Sequence, residues 1–343
     1  MKKTVIVICG LILGTQLQAS MFEPVAEPPS LIGKILQDDP LSITISTDLA
    51  LLLQDGRNDD WQTARLQYEK NGTEYDWNLD LRPRGKFRRK TCDFPPLKLE
   101  LSKKALGKAG LAKQDDLKLV THCLADSLLS AQLIFREYLA YRLYNEASLQ
   151  SLRVQLVQVR YEDVEERVEP IERWGILLED IDELADRLNG EEVDAFSFKP
   201  GQLDTIQHTY IAAFQMMIGN TDWSIHPIRN LKLIQQGERE ALVLVPYDFD
   251  FSAWVDAPYA APRSDLGQQK LKEPIFQGIT ESNHMLKPVL KLLRSKKKAF
   301  FKVVDDFELM TKTEKSSLYK RLRGFFRITA EPEELLIFQA ASL

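Results

Sequence analysis

The first half of the chain alternates apolar and polar residues in short runs. Leu41-Ser-Ile-Thr-Ile-Ser46 puts Leu41, Ile43 and Ile45 on one face and hydroxyl side chains on the other, the period of two expected of a strand. Asp48 then stands where it can cap a short apolar helix over Leu49 to Leu53, and Asp55 to Asp60 reads as a turn. Ala64 to Glu69 and Tyr75 to Leu81 flank Lys70-Asn-Gly-Thr73, a strong hairpin signal because Asn-Gly accepts the positive φ angles of a tight turn. Pro96 to Leu101 and Leu117 to Thr121 alternate in the same way, as do Val154 to Tyr161 and Arg173 to Glu179. One long segment breaks the pattern: Ser127 to Asn145 has helical spacing, a broad apolar face and Asp126 as its cap. These elements predict a twisted antiparallel sheet with one helix packed on it, an α+β arrangement over residues 41–179.

Beyond Glu179 the pattern turns mostly helical. Asp180 to Leu188 reads as a short helix and Asp204 to Ile218 as an apolar helix ended by Gly219; Leu286 to Phe307 and Glu314 to Phe326 are amphipathic. Leu231 to Ile234 and Ala241 to Val245, separated by a polar stretch with Gly237, predict a hairpin within this half. Residues 20–40 carry four prolines and little periodicity, so an irregular arm is expected there.

Composition changes the picture mainly at the amino terminus. Lys2-Lys3, the apolar run Thr4 to Gly14 and Ala19 before Ser20 have the anatomy of a secretory signal peptide over residues 1–19. The run is shorter than the roughly 20 residues of a spanning helix, so no stable membrane span is expected, and a periplasmic or extracellular location follows. Without residues 1–19 the chain has 43 basic against 50 acidic side chains, a balance that argues against nonspecific nucleic-acid binding. Cys92 and Cys123 remain, and in an oxidising compartment a disulfide is the default for such a pair, with two buried thiols as the alternative.

Candidate chemistry gathers around the second hairpin. Asn230 enters one strand and Asp248 leaves the other, so the two should face one another, with Asp222 on the preceding loop. Two carboxylates and an amide suit a hard divalent cation that carries phosphates. Leu81-Arg-Pro-Arg-Gly-Lys-Phe-Arg-Arg-Lys90 holds six basic residues in ten; it reads either as a solvated turn or as an anion site built on Arg84 and the free backbone around Gly85. Lys98 falls on the polar face of its strand and Glu137 near the middle of the long helix. His226, between Asp222 and Asn230, reads first as a loop histidine making a structural hydrogen bond, with a ligand or acid-base group as the alternative.

Arg84-Gly85, Lys98, Asn220-Thr-Asp222 with Asn230, and Pro246-Tyr-Asp-Phe-Asp250 together resemble the motifs of the spore-coat CotH kinase family, over roughly residues 75–255. The resemblance implies a two-lobed protein kinase-like fold, with a β-rich N-terminal lobe over 41–179 and a mostly helical C-terminal lobe over 180–343. It also implies transfer of phosphate from ATP, with Mg²⁺ or Mn²⁺, to a Ser or Thr of a protein substrate. By the same resemblance Lys98 would hold nucleotide phosphates with Glu137 as its partner, and Arg84 would add charge there. Asp222 would orient or deprotonate the acceptor hydroxyl, Asn230 and Asp248 would hold the metal, and Asp250 would be a second ligand or a structural residue. Glu179 would fall where the nucleobase meets the hinge. Two departures stand out: Asp222 and Asn230 are eight residues apart rather than five, and no Gly-x-Gly-x-x-Gly loop precedes Lys98. A competing reading is a catalytically inactive envelope or secreted binding protein, whose polar cluster is structural.

Overall fold

The computed structural model describes residues 28–54, 60–199, 201–279, 284–331 and 335–338. The expected signal peptide, the first part of the irregular arm and residues 55–59 of the turn lie outside the described residues.

Seven strands form a closed barrel. They are β1 (Leu41–Thr47), β2 (Gln62–Lys70), β3 (Thr73–Pro83), β4 (Leu97–Leu101), β5 (Asp116–Val120), β6 (Val154–Asp163) and β7 (Ile171–Leu178), in the order β1-β2-β3-β4-β5-β7-β6. Neighbours are antiparallel except at the seam, where β1 runs parallel to β6 with Leu41 opposite Val157 and Thr47 opposite Asp163. The alternation read in the sequence sorts the side chains: Ile45, Leu66, Leu81, Leu99, Val159 and Tyr161 fill the barrel interior. In the β2–β3 hairpin Asn71 and Gly72 both take positive φ, as the Asn-Gly pair predicted. Gly175 faces inward, where a Cβ would come within 3.0 Å of the Leu119 side chain and the Val120 carbonyl.

This barrel overturns the two-lobed kinase-like fold. The chain is α+β, but its strands close on themselves instead of forming an open sheet above a hinge. The reason lies in the seam, since each of β1 and β6 has the alternation of any half-buried strand and nothing local records that they meet.

Short helices decorate the barrel: α1 (Leu31–Ile35), α2 (Leu49–Gln54), α3 (Arg88–Thr91) and α4 (Lys103–Lys108). α1 lies inside the stretch expected to be irregular; Ser30 caps it, and Leu31, Ile32 and Ile35 are buried against the barrel core. The long helix α5 (Ser127–Ala147), capped by Asp126, packs on the outside of β6 and β7. There Val154, Leu156, Ile176 and Leu178 point away from the barrel interior and join a second, larger core. That core continues through α7 (Thr205–Ile218), α8 (Leu286–Ser295), α9 (Lys297–Asp305) and α10 (Lys312–Ile328), with α6 (Ile181–Arg187) beside it on the chain's path. The helix expected over 286–307 is two, broken at Lys296. Gly219 ends α7 at φ 66°, the left-handed cap its sequence position suggests. Two small sheets complete the described residues: β8 (Glu191–Val193) pairs with β11 (Leu231–Gln235), which pairs with β12 (Val243–Pro246), while β9 (Ser224–Ile225) pairs with β10 (Ile228–Arg229).

Candidate functional site

A pocket of about 840 Å³ opens between the barrel and the β8-β11-β12 sheet. One half is apolar, lined by Pro96, Val120 and Leu178 from the barrel and by Val193 and Leu233 from the sheet. The other half is polar and receives Arg84, Arg88, Asp222, Asn230, Asp248 and Asp250. The hairpin explains how distant positions meet: Leu231 opposes Pro246, so the residues just outside each strand are neighbours, and the Tyr247 N–H donates to the Asn230 carbonyl at 3.2 Å. Asn230 and Asp248 both have positive φ, 51° and 60°, a conformation that Asn and Asp tolerate better than most residues.

Asp222 is held from several sides. Its N–H donates to the Asn220 side chain at 3.0 Å, and Asn220 is itself buried. The Asn230 amide donates to the Asp222 carbonyl at 2.6 Å and to its carboxylate at 3.1 Å, while Arg229 contacts the other carboxylate oxygen at 3.1 Å. Asp248 is tied to the helical core through its N–H, which donates to the Tyr141 hydroxyl at 2.9 Å.

The floor is a buried ionic cluster. Arg88 lies 3.5 Å from Glu137 and 3.4 Å from Asp250, and its guanidinium also reaches the Tyr259 hydroxyl at 3.5 Å. Burial pushes the Glu137 carboxyl up to about 7 against the opposing pull of Arg88, and pushes Asp250 upward with Asp248 adding repulsion. Arg88 meanwhile is held firmly charged by Asp250 and Glu137, which outweigh its own burial. These directions agree once charges are counted: Arg88 is shared between Glu137 and Asp250, and Arg84 acts on Glu137 only at longer range. Arg88 is carried into place by α3, which the Cys92–Cys123 disulfide fastens to the segment between β5 and α5; the Cα atoms of the pair are 4.4 Å apart. Among the described residues no carboxylate lies within ion-pair distance of Arg84, whose N–H is bonded to the Pro96 carbonyl at 2.8 Å. At the mouth, the half-exposed Phe87 ring meets Phe251 edge-on at 5.1 Å.

The structure therefore gathers Arg84, Asp222, Asn230, Asp248 and Asp250 in one pocket and puts Glu137 directly beneath it. Lys98 is elsewhere, on the outer face of β4, paired with Asp116 at 2.6 Å and lying over the Trp61 ring. The partner of Glu137 is Arg88, not Lys98. Glu179 is also outside the pocket: fully buried, it binds Arg153 at 2.9 Å and Arg187 at 2.8 Å. Arg88 was hidden in the basic run, where six cations look alike and even Phe87 is flanked by Lys86 and Arg88 itself. Tyr141 had a clearer signal, since it lies one helical turn after Glu137 on the same face.

Among the described residues no group of three or more His, Cys, Asp or Glu side chains is placed to hold a metal ion. Two carboxylates, Asp222 and Asp248, and the Asn230 amide line the same pocket. The chain matches no protein-family model and no curated protein. Among the described residues no helix is long and apolar enough to cross a membrane.

Proposed function

We propose that the chain is an exported phosphotransferase that moves phosphate from ATP to a Ser or Thr hydroxyl of a protein, with Mg²⁺ or Mn²⁺. One observation carries the reading: Arg84, a cation with no carboxylate within ion-pair distance among the described residues, lines the same pocket as Asp222, Asn230 and Asp248, beside apolar side chains of the barrel and the sheet. The motif resemblance to the CotH kinases supports it independently of overall architecture. In this scheme Arg84 would bind phosphate oxygens, and Asp248 and Asn230 would hold the ion. Asp222, steadied by Asn230, receives the proton of the acceptor hydroxyl. ATP would supply its γ-phosphoryl group, the hydroxyl oxygen bonding to phosphorus as the bond to the leaving ADP breaks, and a divalent ion would supply charge neutralisation. Arg88 keeps Asp250 and Glu137 in place below, a positioning role. The disulfide and the leader-like amino terminus support export.

Calorimetry with ATP and Mn²⁺ on the full chain tests the proposal. Asp248→Ala is expected to weaken binding at least about tenfold, and Asp222→Ala to keep binding while transfer to protein acceptors falls on the order of a hundredfold or more. A wild-type chain that binds no nucleotide ends the proposal. The second reading, a binding protein with a structural polar cluster, is favoured by the backbone: Asn230 and Asp248 sit at positive φ, which accounts for their residue types without any ligand. Under that reading both variants lose stability and the wild type ignores ATP.

A further inference from the structure

The groups around Asp222 on its solvent side differ from those deeper in the pocket. Arg229 touches the Asp222 carboxylate through one guanidinium nitrogen at 3.1 Å, with about 45% of its side chain exposed. Arg263 stands 3.9 Å from the same carboxylate oxygen. Its guanidinium is already engaged by a carboxylate of its own loop, Asp265, through two parallel bonds, one of them 2.8 Å long, and it donates to the Thr221 carbonyl at 3.2 Å. Asp265 is itself about 60% exposed. Two guanidinium groups thus stand beside Asp222, Arg229 in the pocket lining and Arg263 next to it, and Arg263 receives a carboxylate in the forked geometry that Arg favours. The contact with Asp222 is the one side-chain hydrogen bond that Arg229 makes among the described residues, and Asp265 acts on the same guanidinium at longer range.

We propose that Arg229 and Arg263 select the acceptor, and that it is an acidic segment in which the Ser or Thr is flanked by Asp or Glu. This rests on the phosphotransferase reading and adds the substrate class to it. A flanking carboxylate binds Arg229 or replaces Asp265 on Arg263, and either contact brings the neighbouring hydroxyl toward Asp222. A basic flank meets like charge at the same place, and the discrimination is largest at low salt because both groups are partly exposed.

The experiment gives the full chain two Ser peptides of equal length, one flanked by Glu and one by Lys, at saturating ATP and Mn²⁺, after calorimetry has measured nucleotide binding. The expected result is a preference of at least about tenfold in kcat/KM for the Glu peptide, through KM, with the preference shrinking in 0.5 M salt. Arg229→Glu is expected to reverse the order of the two peptides, and Arg229→Lys to preserve it; thermal unfolding of each variant verifies folding. Equal use of the peptides, a Lys preference, or an order that Arg229→Glu leaves unchanged overturns the inference. Nucleotide binding without transfer to either peptide also overturns it and leaves the nucleotide site standing, whereas absence of nucleotide binding removes the phosphotransferase reading beneath it.

Discussion

His208 carries two polar ring atoms, neither of which has a partner among the described residues. It lies fully buried in α7, its ring 5.6 Å from that of Trp223 on the Asp222 loop. Burial lowers its pKa to about 4, with His226 contributing a smaller repulsion. In the unfolded chain a histidine titrates near 6.5, so between those values the unfolded state binds the extra proton and the folded state does not. Stability is therefore complete above about pH 6.5 and falls as pH drops toward 4, by up to about 3 kcal/mol in all. His208→Phe should keep the pH 7.5 stability within about 1.5 kcal/mol and flatten that acid limb, as urea unfolding at pH 7.5 and 4.5 will measure. At this scale the sequence was informative about type and silent about depth. Asp222, Asn230 and Asp248 were legible because a hairpin has a fixed return path, whereas Lys98 and Arg88 exchanged places because a strand lysine and a loop arginine carry no mark of which is buried.

Among the elements, α3 has little in its own sequence to hold it as a helix. It is four residues long and three of them, Arg88, Arg89 and Lys90, are cations; no side chain caps it. What holds it is the Cys92–Cys123 link across a sequence separation of 31, with the Asp93 N–H bonded to the Cys123 carbonyl at 2.9 Å. Replacing both cysteines by serine should lower stability by about 2–4 kcal/mol in denaturant titrations, and the loss should match that of the reduced wild type. Hairpins, caps and long helices were legible because each has a local chemical reason: Asn71-Gly72 for a turn, Gly219 for a helix end, Asp126 for a helix start. α1 was missed because Pro24, Pro28, Pro29 and Pro40 surround it, and its five residues form only with Ser30 as cap and the barrel beneath. β8 was missed because Glu191-Glu-Val193 is strand only by virtue of its partner β11.

For the whole molecule, the sequence pattern gave the α+β class and a change of character after Glu179, but not the closed barrel. The apolar half of the pocket shows why this matters for the site. Val120 and Leu178 are barrel residues that face outward into the helical core, so the barrel wall is at once the back of the pocket and the support of α5. An ion, a nucleotide or an acceptor binding there would touch strands and helices together, which no reading of either half alone could place.

The parallel seam between β1 and β6 sets an order of events during folding. The β2–β3 hairpin needs only adjacent residues, while Leu41 finds Val157 across more than a hundred intervening positions, and the loss of chain freedom must precede the contacts that repay it. A chain that emerges amino terminus first must therefore leave one edge of β1 unpaired until β6 has been delivered. Pulse-labelling hydrogen exchange during refolding should protect the β2–β3 amides before those that bond β1 to β6, and simultaneous protection would mean that the barrel closes in a single step. Until the seam shuts, that open edge is the place where a second strand of any origin can add, so crowding by other unfolded chains is the condition under which this protein is most exposed to misassembly.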